Sequence, residues 1–78
     1  MKQSLEHLTK LNSYQKLYAD FLKKAMNEGL EYYWVAADLS KAIYILKKIV
    51  NHDYPNDKTY QELLDDLAYL EEKHKGAW

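Results

Sequence analysis

The tetrapeptide EEKH at residues 71–74 sets Glu71 and His74 three positions apart. Helix-borne carboxylate and imidazole ligands hold paired metal ions in bundle cores at this spacing. Such a centre needs two of these pairs and two further inward-facing carboxylates. The chain supplies one pair, so the motif reads as a histidine near a helix end beside a solvated glutamate. His52 and Asp53 adjoin in a turn-like segment, which is too little for a metal site. His7, His52 and His74 fall in three separate segments. Neither the histidines nor Ser4, Ser13 and Ser40 show a spacing that would bring a nucleophile, a base and an orienting group together. A bundle of this size also leaves little room for a ligand pocket of ~300 Å³ or more. No catalytic residue, metal site or cofactor is expected, and the enzyme reading is set aside.

Composition removes further classes. Cysteine is absent, so neither thiolate chemistry nor a disulfide is open to the chain. Gly29 and Gly76 stand alone, which excludes a glycine-rich phosphate cradle. All 11 basic residues are lysine. The planar guanidinium fork that grips phosphate or guanine is therefore missing. With a net charge of −1, no overall field draws in nucleic acid. Direct nucleic-acid binding is not expected. An all-lysine cationic set suits a low-GC bacterium or its phage as the source. The most apolar run, AIYIL at 42–46, falls far short of the ~20 residues that span a bilayer. No transmembrane segment, leader or lipidation motif is read, and the expected location is cytoplasmic.

The elements that position the remaining residues are legible in the periodicity. The 78 residues fit a single domain with a thin stability margin. Punctuation is confined to Gly29 and to NHDYPND at 51–57, and the intervals repeat apolar residues at helical spacing. The expected fold is all-α, an antiparallel up-down-up three-helix bundle with helices at roughly 4–27, 30–51 and 58–74. The first helix starts at Ser4 as N-cap, carries Leu8, Leu11, Tyr14, Tyr18, Phe21, Leu22, Ala25 and Met26 as its stripe, and allows a break near Asn12–Ser13. The second buries Tyr32, Val35, Leu39, Ala42, Ile43, Leu46 and Val50, with Asp38 as an alternative N-cap. The third opens with a capping box, Thr59 to Glu62, and buries Tyr60, Leu63, Leu64, Leu67, Leu70 and His74.

Two features exceed what such a bundle needs. The first is the aromatic triplet Tyr32, Tyr33 and Trp34. At 100° per residue Tyr32 joins the core, whereas Tyr33 and Trp34 fall ~120° and ~140° to either side of Leu39. Ala37, Lys41, Tyr44 and Lys48 share that outer side. Either the second helix is packed from both flanks, absorbing some of these aromatics, or they form an exposed strip suited to a partner or a twin subunit. The terminal Trp78 either folds back or extends that surface.

The second is charge. Residues 1–28 carry five lysines against three acids, residues 29–51 three against two, and residues 52–78 three against seven. The third helix holds Asp65, Asp66, Glu71 and Glu72 around Tyr69. This acidity either complements the basic first and second helices within the bundle or offers a docking surface to a basic partner. The expectation is a small protein-binding module (inhibitor, adaptor or regulatory subunit) using Tyr33, Trp34 and Tyr44, with Asp65, Asp66, Tyr69, Glu71 and Glu72 steering. A phage or mobile-element inhibitor of a host protein fits this description. A homodimer with the second-helix aromatics as its seam is the alternative. Weak binding at a membrane surface through Lys41, Lys48 and the aromatics is the third reading.

Overall fold

The computed structural model describes the backbone of residues 2–78 and the side chains of residues 5–78. The described chain forms α1 (Lys2–Glu28), α2 (Glu31–Val50) and α3 (Asp57–Lys73), with no strand among the described residues. The all-α three-helix bundle read from the sequence is the fold. It measures 41 × 20 × 19 Å, its long axis set by the 27 residues of α1.

No break occurs at Asn12–Ser13. Leu11 and Tyr14 on either side are both buried, and a continuous helix is what keeps them on one stripe. That burial outweighs the modest helix cost of Asn and Ser at exposed positions. The helix already runs through Ser4, so the start expected there lies further upstream; the Ser4 side chain is outside the described residues. Leu8 and Met26, expected on the stripe, are exposed near the two ends of α1.

α2 is the middle element and packs closely against both neighbours, whereas α1 and α3 meet only through side chains among the described residues. This explains why the buried arc of α2 is wider than its periodicity implied. Ala36, Ile45 and Ile49 are buried alongside Leu39, Ala42, Ile43 and Leu46, while Tyr32, Val35 and Val50 border the core. A helix flanked on two sides needs an apolar arc approaching half its circumference. Trp78 folds back: its ring lies 5.4 Å from that of Tyr14 and stacks on His74 at 4.9 Å. Tyr32 stacks on Phe21 at 6.4 Å, with the Lys24 ammonium over both rings.

The turns depart from the expected chemistry. Asp38 is no cap, because α2 begins at Glu31 after the reversal at Gly29, whose φ of 140° suits glycine. The N-cap of α3 is Asn56 rather than Thr59. The Asn56 Oδ1 accepts from the Thr59 N–H at 2.9 Å, placing Thr59 inside the first turn. α2 closes with paired bonds, His52 N–H to the Ile49 carbonyl and Asp53 N–H to the Lys48 carbonyl. This motif wants a left-handed residue at position 52. His52 takes that role at φ 54°, held by a 3.0 Å bond between its Nδ1 and the Tyr54 hydroxyl. Left-handed conformation costs a non-glycine residue about 1–2 kcal/mol. His52→Gly is therefore expected to raise the unfolding free energy by about 0.5–1 kcal/mol in urea titration, the lost bond offsetting part of the gain.

Candidate interaction surface

The buried arc of α2 leaves its opposite side facing solvent, and a groove runs along each edge of that free side. Contrary to the expectation of little room for ~300 Å³, the larger, between α2 and α3, is about 610 Å³ in volume, lined by Ser40, Lys41, Tyr44, Ile45 and Lys48 and by Leu63, Asp66, Tyr69 and Leu70. Ile45 and Leu70 form a buried apolar floor, with Leu63 half-buried beside them. Tyr44 and Tyr69 stand on opposite walls, 62% and 66% exposed. The smaller groove, about 350 Å³, lies between α1 and α2 and is lined by Tyr18, Leu22, Tyr33, Ala36 and Ala37. Ser40 and Lys41 belong to both grooves, so they form the ridge between them.

The two expected surfaces thus meet. Tyr44 from the aromatic helix and Tyr69 with Asp66 from the acidic helix share one groove. Tyr33 edges the neighbouring groove and is 56% exposed. Trp34, 73% exposed, lies within ~20° of Lys41 and Ile45 around α2, on the flank facing α3. Of the two packings weighed for the triplet, α2 is indeed flanked on both sides, yet Tyr33, Trp34 and Tyr44 all remain exposed. Asp65, Asp66 and Glu72 are exposed as well.

Glu71 departs from the expected steering set. It accepts a hydrogen bond from the Tyr14 hydroxyl and pairs with Lys10 at 2.9 Å, bridging α3 to α1. Burial first, then the bond to Glu71 and its charge, push the Tyr14 hydroxyl far above the usual phenol range. Glu71 and His74 thus diverge, since His74 turns to α2 and its Nε2 meets Asp38 Oδ2 at 2.6 Å. Lys73 joins the same carboxylate at 3.1 Å. The bond from His74, then Lys73, hold Asp38 below the ordinary carboxylate range against the opposing effect of burial. Asp38, expected as an alternative cap, is instead the polar tie between α2 and the end of α3. The complementarity expected between an acidic third helix and a basic first one is realised in the Lys10–Glu71 pair.

The groove walls carry opposite charge. On the α2 wall the Lys41 and Lys48 side chains are 71% and 30% exposed. Lys48 lies over the Tyr44 ring at 5.1 Å and within 3.5 Å of Asp53. Tyr44, then Asp53, hold its ammonium above the ordinary lysine range. On the α3 wall stands Asp66, with Glu62 one turn earlier on the same row. Chemically the groove offers apolar burial, two phenol hydroxyls and a charged rim of each sign. Comparison with protein-family models, curated proteins and solved structures gives no match. No helix among the described residues is long and apolar enough to cross a membrane.

Proposed function

We propose that this chain is a small non-catalytic protein-binding module, an inhibitor, adaptor or regulatory subunit that acts by occupying a partner's surface. One observation carries the reading: Tyr44 and Tyr69, from different helices, stand exposed on facing walls of one groove with an apolar floor. Neither ring is needed to complete the core, and tyrosines around a desolvated apolar patch are the side chains that dominate protein interfaces. Asp65, Asp66 and Glu72 add an acidic margin that steers a basic partner. Tyr33 and Trp34 extend the aromatic surface toward the α1–α2 turn. The acidic α3 wall weighs against an anionic lipid surface as occupant, because it opposes what Lys41 and Lys48 would attract. A cytoplasmic location and a phage or mobile-element origin accord with this reading.

Capture with the tagged chain in its own host tests it. Wild type is compared with Tyr44→Glu/Tyr69→Glu and with the control Lys16→Glu on the exposed side of α1. Two buried charges at an interface centre are expected to weaken binding about thirtyfold or more, with the control unchanged. Equal capture by all three proteins removes the groove from the reading.

A further inference from the structure

The groove between α2 and α3 is asymmetric across its width. Lys41 and Lys48 mark the α2 wall, Asp66 the α3 wall with Glu62 one turn earlier beside it, and each wall raises one exposed tyrosine above the apolar floor. An occupant must therefore present the reverse order of charges across a matching apolar face. The chain itself presents that surface. A two-fold axis laid along the groove, parallel to the helices, turns a second copy so that its α2 faces α3 of the first. Lys48 of each copy then opposes the Glu62–Asp66 row of the other, with Lys41 further along the same wall, because rotation about that axis preserves height along the helices. A two-fold laid across the groove would instead set lysine against lysine and carboxylate against carboxylate, so charge selects the first axis.

Helix direction is compatible with this axis. α2 and α3 are antiparallel within one copy, since a short loop joins them. The rotation along the groove keeps each helix's direction and makes α2 of one copy antiparallel to α3 of the other. The four helices then have antiparallel neighbours all round, the up-down-up-down order of a four-helix bundle. Tyr44, Ile45, Leu63, Tyr69 and Leu70 of both copies supply its central layer, and α1 of each copy covers the outside.

We propose that the occupant of the α2–α3 groove is a second copy of this chain, forming a two-fold four-helix bundle seamed by α2 lysines against α3 carboxylates. The proposal rests on the reading of the groove as a protein-binding surface and names the partner that fills it. In the dimer Tyr44 and Tyr69 become buried. The exposed Leu30 and Trp34 of both copies come to the same end, as a paired surface for any further partner.

Sedimentation equilibrium of four samples tests it: wild type, the α2-wall reversal Lys41→Glu/Lys48→Glu, the α3-wall reversal Glu62→Lys/Asp66→Lys, and an equimolar mixture of the two reversals. Wild type is expected at twice the chain mass of 9.3 kDa. Each reversal alone sets like charges across both seams and is expected to weaken the dimer about tenfold or more. The mixture restores opposite charges on both seams and is expected to dimerise as wild type does. Far-ultraviolet circular dichroism shows that each reversal stays helical, and recovery in the mixture supports the proposal independently of any loss of fold. A wild type that stays monomeric up to millimolar concentration overturns the proposal. So does a wild-type dimer that both reversals leave intact. Wild-type monomers whose capture of a different protein depends on Tyr44 and Tyr69 overturn self-association while upholding the groove as a binding surface.

Discussion

Replacing Leu46 with alanine is expected to lower the unfolding free energy by about 3–4 kcal/mol. Leu46 and Leu39 are the largest side chains with no exposure at all, and both sit on the middle helix. The change removes buried methyl groups and leaves a cavity between elements that can close only by moving α1 or α3 inward. Among the described residues α1 and α3 meet through side chains, the Tyr14–Glu71–Lys10 cluster and the Trp78 ring included. Collapse onto the cavity would disturb those contacts, so relaxation is limited and the cost lies in the upper part of the usual range. For a domain of this size the loss is a large share of total stability. Chemical denaturation of wild type and Leu46→Ala checks it, with a Leu8→Ala control. Leu8 is exposed, and its truncation is expected to cost under about 0.5 kcal/mol.

The next largest effect is expected at Asp38. Its carboxylate accepts from His74 at 2.6 Å and lies 3.1 Å from Lys73, and only 14% of its side chain is exposed. Asp38→Asn keeps the shape and removes the charge. The expected loss near neutral pH is about 1–3 kcal/mol, the range for hydrogen bonds to a charged group. The pH dependence identifies the cause. The folded pKa of Asp38 lies below its ordinary value of 3.8, so the folded state favours the ionised form. The contribution is then fully present above about pH 4 and is lost as pH falls through the folded pKa. The gap between wild type and Asp38→Asn should be widest near neutrality and should close in acid. A gap that stays constant down to pH 2 would assign the effect to packing instead.

The parts of this molecule that sequence reveals are those set by local periodicity. Leu39, Leu46, Leu67 and Leu70 announce their burial because each recurs at helical spacing with like neighbours. Ile45 and Ile49 do not, since their burial depends on α3 lying against a second flank of α2. Which flanks are covered is a property of the whole bundle. Asn56 outcompeted Thr59 for the cap because the helix begins at Asp57, three residues before the apolar stripe makes a start visible. Glu71 looked like one more surface acid. Its engagement depends on Tyr14, 57 positions away, reaching it across the bundle.

The groove was half legible. Tyr44 and Tyr69 were each readable as outward-facing from their own wheel, but nothing within either helix says that they share one surface. The signal lies in the hairpin register. Two antiparallel helices joined at 51–56 run past each other in one fixed register, which sets Tyr44 across from Asp66 and Tyr69. The contact of Asp38 with His74 obeys the same register.

The central claim is that the α2–α3 groove is the working surface of this protein. Its most direct measurement is the affinity of wild type and of Tyr44→Glu/Tyr69→Glu for the captured partner. Where that partner is a second copy of the chain, the same comparison is read by sedimentation. The expected result is a loss of about thirtyfold or more with unchanged helicity and no change for Lys16→Glu. Equal affinity of the two proteins would contradict the claim and move the working surface elsewhere on the bundle.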